Sequence, residues 1–397
     1  MACPRRLPSA NGASRARFPP FCKRAPKGLK ILAELLFFAI CPYIISMKKI
    51  LLVTLLISGT IIGAGFASGR EISLFFARYG VYSLFFLPML FCIFNFSFKL
   101  FLKIGQKKKF DSIYELNSYA QNSWFMNVTI KAIFIVFSSA MMSAAVEILS
   151  SSFISVPSIV FYILVFFVSY FVLKFGFGGL VKLNAVLVPV LILSLLFLSV
   201  FGTFNPVTNL AFQPENTKVY VLPISIIIYA TGNLMLSYYL LVKAGQGLSD
   251  KQINKVSFFS ALTICLVIFS CIVCLIVNGS AIMNSSMPFV ALSFRLGEPI
   301  SVIFVFVVLL GVLTTLFSSL FTASEALGLK KHSGIVSLIL VLVLSLVGFQ
   351  KIVDFTYPVI GFFGIVMIFK LTRALAFKPR FQSGNNKVHP AGEKAKY

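Results

Sequence analysis

The sequence predicts an all-α protein that crosses a lipid bilayer many times. Its 397 residues are 58% hydrophobic and only 12% charged, whereas charged residues make up about a quarter of a typical soluble domain. The apolar residues form long runs of Leu, Ile, Val and Phe, and the basic residues fall in short clusters between those runs. This arrangement is typical of polytopic membrane proteins, whose loops carry the lysines and arginines.

From Met47 onward, ten apolar runs are candidates for transmembrane helices, and the run at 334–349 is the shortest. The spans are predicted at 50–78, 81–103, 124–149, 156–174, 178–203, 219–242, 255–279, 299–327, 334–349 and 353–376. With Met47 inside, the inner loops hold eleven basic residues and the outer loops hold Arg78, Lys218, Arg295 and Lys351. This bias follows the positive-inside rule. We therefore expect a multi-pass protein of the cell membrane with both termini in the cytoplasm.

The two ends of the chain differ in composition from the membrane domain, 47–376. Residues 1–46 are rich in Pro, Arg and Ala, and their apolar piece, ILAELLFFAICPYIIS, is 16 residues long and contains Glu34 and Pro42. A bilayer span needs about 20 apolar residues. We expect 1–46 to be disordered or not part of the functional chain; a signal-like or interfacial segment is the alternative. Residues 377–397 form a basic cytoplasmic tail.

Several function classes find no support in the sequence. The formal net charge is +24, but the basic residues form no stripe with interleaved aromatics, so we expect no nucleic-acid partner. Neither histidine lies within a predicted span, and Cys271 and Cys274 form an isolated CxxC pair inside an apolar run. No HExxH, Walker A or GxSxG motif is present. The prediction is a protein that is not an enzyme and has no resident cofactor or structural metal.

Ten spans divide into two sets of five, one at about 47–204 and the other at about 219–376. Proteins built from two such inverted repeats place a ligand site at interrupted helices in corresponding positions of the two halves. Span one contains GTIIGAGFASGREI, residues 59–72, and span six reads PISIIIYATGNLMLSYYLL. We predict that these two helices are interrupted, at Gly63 and at Gly232.

An interruption would have a direct chemical use. Backbone groups in a bilayer stay unpaired only where they line a cavity or are buried in protein. Freed carbonyls can coordinate a cation, and the N-terminus of the next half-helix attracts an anion such as a carboxylate. The alternative is helix packing without a ligand, because Gly59 and Gly63, like Gly65 and Gly69, form GxxxG pairs.

The stretch GTIIGAGFASGREI closely resembles the first-helix motif of the bacterial YkvI-type membrane proteins, a group regarded as amino-acid permeases. These are similar to the amino acid–polyamine–organocation superfamily, which shares the LeuT-like five-plus-five inverted repeat. The resemblance covers about 47–376 and implies a secondary transporter of a small amino-acid-like solute that works by alternating access. We expect the substrate pocket to be bounded by Gly63, Ala64 and Gly65 on span one and by Tyr229, Ala230, Thr231, Gly232 and Asn233 on span six.

The resemblance also implies a sodium site. In the LeuT-like fold, carbonyls beside the break in helix one combine with a carbonyl and two hydroxyls on helix eight. The matching positions are Gly59, Ile62, Gly311, Thr314 and Thr315. Oxygen ligands suit a hard cation. Two alternatives remain: the hydroxyls bond back to their own helix, or the register shifts by one turn to Ser318 and Ser319.

Charged residues near or within the spans supply further candidates, since charges in a membrane are rare without a function. Glu147 on span three would bind a cationic group or a proton, or would lie at the interface. The resemblance implies an outer-gate pair of Arg70 and Asp354. Lys182 lies at the cytoplasmic mouth of span five, where its chain can extend to the interface.

These observations favour a sodium-coupled symporter. A proton-coupled carrier is the first alternative, and a ligand-sensing membrane protein on the same fold, as in germinant receptors, is the second. A channel would be expected to show a filter or a ring of charges rather than paired helix breaks. The expected partners are a small solute and the lipid bilayer, and the oligomeric state is left open.

Overall fold

A computed structural model describes residues 47–121, 123–152, 156–207, 219–283, 285, 287–328 and 333–377. The predicted extension 1–46 and the tail 378–397 lie outside the described residues. The described part is helical and contains no β-strand. This confirms the all-α prediction.

The helices follow the apolar runs closely. In chain order they are α1 (47–61), α2 (Ala64–Ala67), α3 (Arg70–Phe75), α4 (Tyr82–Phe85), α5 (Leu87–Lys107), α6 (Ile113–Tyr119), α7 (Trp124–Ser152), α8 (Ser158–Lys174), α9 (Gly176–Phe204), α10 (Leu222–Gly245), α11 (Asp250–Asn278), α12 (Ser280–Met283), α13 (Pro288–Leu296), α14 (Glu298–Leu327), α15 (Ser333–Ser345) and α16 (Phe349–Phe377). Short 3₁₀ turns lie at Ala77–Tyr79 and Val219–Val221.

Seven helices in the described part of the chain are long and apolar enough to cross a membrane. They are α5, α7, α9, α10, α11, α14 and α16. The other predicted spans correspond to the shorter apolar helices α8 and α15 and to the segment that begins with α1. Large apolar side chains such as Leu193, Phe197 and Phe167 lie on the outside of these helices, each more than half exposed. Such surfaces suit contact with lipid, so the chain is a multi-pass membrane protein, while a total of ten spans stays a prediction.

The chain divides into two compact units. The first draws its described residues from Met1–Lys99, Lys174–Thr217 and Gly247–Thr315. The second draws them from Leu100–Leu173, Lys218–Gln246 and Leu316–Tyr397. The two units do not coincide with the two predicted repeats, because each takes segments from both halves of the sequence.

In the first unit, α9 and α11 pack along each other. Asn278 joins their ends: its Nδ2 donates to the carbonyls of Gly202 and Cys274, both at 2.9 Å, and its Oδ1 accepts from the Val207 N–H at 3.0 Å. Cys274 and Cys271 are buried between these helices, and Cys271 Sγ lies 3.4 Å from Ser199 Oγ. The CxxC pair therefore packs in the core of this unit.

In the second unit, α10 packs on α16, and α7 packs on α15 and α16. The short helix α6 is fastened to the ends of longer helices by tyrosines. Tyr119 donates to the Ala374 carbonyl of α16 at 3.1 Å, and Tyr114 donates to the Ala326 carbonyl of α14. Burial raises the pKa of Tyr119, so its hydroxyl stays protonated and able to donate.

Candidate functional site

The predicted interruption of span one is present at Ile62 and Gly63. Helix α1 ends at residue 61 and α2 begins at Ala64. The Gly63 N–H donates to the Ile61 carbonyl at 2.9 Å, whereas a regular α-helix would direct it to the Gly59 carbonyl four residues back. The first span therefore breaks where the glycines cluster, and the Gly59 carbonyl loses the Gly63 N–H as its helical donor.

A second turn follows a few residues later. Gly69 has φ of +83°, a conformation that glycine adopts without strain. The turn is braced by α13, because the Phe289 N–H donates to the Ser68 carbonyl at 2.9 Å. An N–H in the first turn of a helix has no acceptor within its own helix. This bond therefore gives the Phe289 N–H an acceptor, and it ties the start of α13 to Ser68, the residue before the Gly69 turn.

The break lies against α14 within the first unit. A Cβ added to Gly63 would lie 2.3 Å from Thr315 Oγ1, and a Cβ added to Gly311 would lie 3.1 Å from the Ala67 Cβ. Both threonines are buried, with Thr314 1% and Thr315 6% exposed. The structure thus brings the Gly63 break next to Thr315, one of the two threonines that the resemblance to the LeuT-like fold selected.

The two threonine hydroxyls also bond back to their own helix, as the alternative interpretation predicted. Thr314 Oγ1 donates to the Gly311 carbonyl at 2.9 Å and Thr315 Oγ1 donates to the same carbonyl at 3.0 Å. A hydroxyl that donates its hydrogen keeps two lone pairs. Back-bonding and cation binding are therefore compatible at Thr314 and Thr315.

In the shifted register, the Ser319 hydroxyl has other partners in the second unit. Ser319 Oγ donates to the Leu316 carbonyl at 3.1 Å and accepts from Ser138 of α7 at 2.9 Å. Ser319 therefore has a structural role between α14 and α7.

The predicted interruption of span six is wrong. Helix α10 runs without a break over Leu222–Gly245, through Gly232. The physical reason is close packing on α16: a Cβ on Gly232 would lie in ordinary contact, 3.6 Å, with the Gly361 Cα. Thr231 Oγ1 also donates to the Gly361 carbonyl at 3.0 Å. The glycines that close packing requires are on α16: a Cβ on Gly361 would lie 2.6 Å from Ile228 Cγ2 and one on Gly364 would lie 2.1 Å from the Thr231 carbonyl oxygen. This is the small-residue packing of membrane helices.

The predicted pocket residues are divided between the two units. Gly63 and Gly65 are buried in the first unit, and Ala64 begins α2, although its side chain lies outside the described part. Tyr229, Ala230, Thr231, Gly232 and Asn233 are all buried on α10 in the second unit. Asn233 Nδ2 donates to the Tyr229 carbonyl at 3.0 Å. The substrate pocket itself stays a prediction.

Glu147 lines an open cavity of about 420 Å³ in the second unit. The other lining residues come from α7 and α8: Ser143, Val146, Ser150, Ser158 and Tyr162. Ser150 Oγ donates to Ser158 Oγ at 3.1 Å between α7 and α8.

Of the predicted gate pair, Arg70 is half-buried at the start of α3, and the Asp354 side chain lies outside the described residues. The gate stays a prediction.

One polar residue in the first unit was not among the sequence candidates. Asn184 lies in the middle of the apolar run of α9 and is fully buried. The signal in the sequence was a carboxamide inside the segment LNAVLVPVL, followed five residues later by Pro189. Its position beside α1 could not be read from that segment.

Comparisons with known proteins agree with this architecture. A solved structure titled as the substrate-bound outward-open state of a Na⁺-coupled sialic acid symporter has a TM-score of 0.54 and 13% identity, covering 85% of this chain and 86% of that chain. The Eremococcus coleocola manganese transporter in complex with an aromatic bis-isothiourea substituted compound has a TM-score of 0.50 and 14% identity, covering 83% and 78%.

Among curated proteins, Uncharacterized protein YyaD of Bacillus subtilis (strain 168) is 24% identical over 324 residues, covering 79% of this chain and 93% of YyaD. No family model matches the chain, so membership in the YkvI-type family stays a prediction from the first-span motif. The structural likeness shows the fold: this is an all-helical membrane protein with a LeuT-like arrangement of helices.

Proposed function

We propose that this protein is a secondary active transporter that moves a small amino-acid-like solute by alternating access, coupled to sodium. The observation that carries the proposal is the break at Gly63, held against Thr315 of α14 in the first unit. A broken helix facing buried hydroxyls in a protein of LeuT-like fold is the arrangement in which transporters bind ions and solutes.

The residues present fit a sodium ion. The predicted ligands are carbonyls at Gly59, Ile62 and Gly311 and the hydroxyls of Thr314 and Thr315, and such neutral oxygens suit a hard cation. Gly63 lets the Thr315 hydroxyl approach the α1 backbone at the break, because a Cβ at position 63 would lie 2.3 Å from Thr315 Oγ1. When bound, the cation would supply a positive charge between α1 and α14, which would stabilise a nearby carboxylate.

The solute class follows from the resemblance of the first-span motif to amino-acid permeases. Because α10 is continuous, the second half of the pocket would use side chains such as Tyr229 and Asn233 rather than freed backbone carbonyls. We expect the solute's carboxylate to be held beside the break of span one.

Uptake into proteoliposomes tests the proposal. A panel of radiolabelled amino acids would be offered with an inward sodium gradient, and again with choline in place of sodium. We expect uptake of one or a few of them to require the gradient. Uptake that ignores sodium and rises with an inward proton gradient would contradict sodium coupling.

The threonine pair gives a sharper test. Thr314→Ala or Thr315→Ala should raise the sodium concentration needed for half-maximal solute binding by about ten- to a hundredfold, because a lost polar ligand costs about 1–3 kcal/mol. Solute binding should weaken only when sodium is present, since coupling between two sites is reciprocal. The matched controls are Thr314→Ser and Thr315→Ser, which keep the hydroxyl and should stay near wild type.

A proton-coupled carrier is the second candidate, favoured by Glu147 in its cavity between α7 and α8. A carboxyl there would take up and release the proton that drives transport. Glu147→Gln, which cannot titrate, would abolish proton-driven uptake and would leave sodium-driven uptake intact. A ligand sensor on the same fold would bind solute without uptake into liposomes.

A further inference from the structure

Asn184 of α9 is a polar residue in the core of the first unit. Its side chain is 0% exposed, and neither Oδ1 nor Nδ2 has a hydrogen-bond partner among the described residues. Buried carboxamides are nearly always hydrogen-bonded, and each exception needs an explanation such as an ion, a ligand or a water. Asn184 therefore indicates a bound group that the protein atoms alone do not supply.

The carboxamide is aimed at the helix that breaks. A Cβ added to Gly59 would lie 3.2 Å from Asn184 Oδ1 and 2.3 Å from the Val188 Cγ2. Glycine at position 59 thus allows α9 to approach the α1 backbone one turn before the break. The Oδ1 atom lies beside the residue whose carbonyl loses its regular helical donor at Gly63.

The same face of α9 reaches the other helix of the predicted cation site. A Cβ added to Gly311 of α14 would lie 3.1 Å from Leu191 Cδ1. Two turns of α9 therefore contact both glycines whose carbonyls were assigned to the cation. Within these turns, Pro189 has no N–H. The Ala185 carbonyl therefore lacks the donor that a regular helix would provide.

Asn278 shows what a structural carboxamide looks like in the same unit. It is also 0% exposed, but its Nδ2 donates to two carbonyls and its Oδ1 accepts a backbone N–H. The two residues have the same type, the same burial and the same unit. Only Asn184 has polar atoms left over, and only Asn184 lies beside the break.

We propose that Asn184 Oδ1 is a further ligand of the coupling cation, supplied by a third helix. Amide oxygens are good ligands for hard cations, and a neutral carboxamide neither adds charge nor titrates near neutral pH. Binding would link α9 to the broken helix and to α14. The inference rests on the proposed sodium coupling and adds a ligand that the family resemblance does not contain.

The experiment uses sodium alone, so it does not depend on knowing the solute. Binding of ²²Na⁺ to the purified full chain in detergent micelles would be measured, together with the rise in unfolding temperature as NaCl replaces choline chloride. Asn184→Ala should weaken sodium binding at least tenfold. Asn184→Asp keeps an oxygen and adds charge, so it should bind sodium at least as well as wild type.

Asn278→Ala is the matched control. It should lower the unfolding temperature in choline, because it breaks three hydrogen bonds, and it should leave the sodium concentration dependence unchanged. Asn184→Ala should show the opposite pattern, with little change in choline and a weakened response to sodium.

Thr315→Ala separates the two proposals. If Thr315→Ala weakens sodium binding and Asn184→Ala does not, sodium coupling stands and the role of Asn184 is overturned. If wild type shows no sodium binding or stabilisation, both proposals fall. If Asn184→Ala does not fold, unchanged sodium binding by an Asn184→Leu chain, which fills the same space without an oxygen, would overturn the inference.

Discussion

Replacing Gly63 by alanine adds a single methyl group at the break. Gly63 is not among the described glycines with positive φ, so its backbone conformation is open to alanine. The cost is therefore one of space. The new Cβ would lie 2.3 Å from Thr315 Oγ1, 3.1 Å from its Cγ2 and 3.2 Å from its Cβ, and a 2.3 Å separation cannot persist.

The magnitude follows from what must move. Either Thr315 rotates, which breaks its 3.0 Å bond to the Gly311 carbonyl, or α1 and α14 separate. Overpacking of this kind costs about 1–3 kcal/mol, and a lost hydrogen bond adds about 0.5–1.5 kcal/mol. We expect Gly63→Ala to lower the unfolding temperature and to weaken sodium binding at least tenfold.

A double-mutant cycle assigns the loss to that contact. Thr315→Ala removes the colliding Oγ1 and Cγ2, so the Gly63→Ala/Thr315→Ala chain should recover most of the stability lost by Gly63→Ala. Contacting residues show coupling of about 0.5–3 kcal/mol. Gly178→Ala on α9 is the control: no atom lies within 4 Å of its added Cβ, so it should be neutral or slightly stabilising.

The measurements are thermal unfolding in detergent and ²²Na⁺ binding for wild type, the two single mutants of the cycle, the double mutant and the Gly178→Ala control. Sodium binding should stay weak in the double mutant, because it lacks the Thr315 hydroxyl even after the clash is removed. A Gly63→Ala chain that unfolds and binds sodium like wild type would refute the reasoning. Strictly additive losses in unfolding temperature would also refute it.

Three further predictions concern other parts of the chain. Gly364→Ala should destabilise strongly, because its Cβ would lie 2.1 Å from the Thr231 carbonyl oxygen, while Gly232→Ala should be tolerated, because its Cβ would lie in ordinary contact at 3.6 Å. Unfolding temperatures of the two variants check this, and equal losses in the two would contradict this account of the packing of α10 on α16. Glu147→Gln should leave sodium-driven uptake within about twofold, whereas loss in this variant of uptake driven by a proton gradient would favour proton coupling. A chain lacking 1–46 should insert into membranes and transport as well as the full chain; failed insertion would make the extension a targeting element.

The break in span one was predictable because its cause is local. Four glycines within eleven residues weaken one helix, and the chain departs from helical bonding at one of them, Gly63. Gly232 gave a false signal because what surrounds it is tertiary: it packs against Gly361 of α16, a contact in which a methyl group would also fit. The sequence alone does not show which helix a glycine faces.

Asn184 was overlooked for the same reason. A single carboxamide in an apolar run could bond to its own helix, to a neighbour or to a ligand, and its partners depend on packing. The structure resolves this only by placing α9 beside Gly59 and leaving both polar atoms without partners among the described residues. Conversely, the Thr314–Thr315 pair was found by its resemblance to a known fold, which carries tertiary information that composition and periodicity lack.

The threonine pair also shows that two competing interpretations of the sequence need not exclude each other. A cation requires lone pairs, so the hydroxyl hydrogen must point away from it, and donation to the Gly311 carbonyl fixes the hydrogen in this way. Thr315→Val removes the hydroxyl with almost no change in volume. If back-bonding were the only role, the hydroxyl would not contact the cation, and the Thr315→Val chain would respond to sodium like wild type. We expect instead that its stability in choline falls by no more than the value of the lost hydrogen bond, about 0.5–1.5 kcal/mol, and that its ²²Na⁺ binding falls at least tenfold.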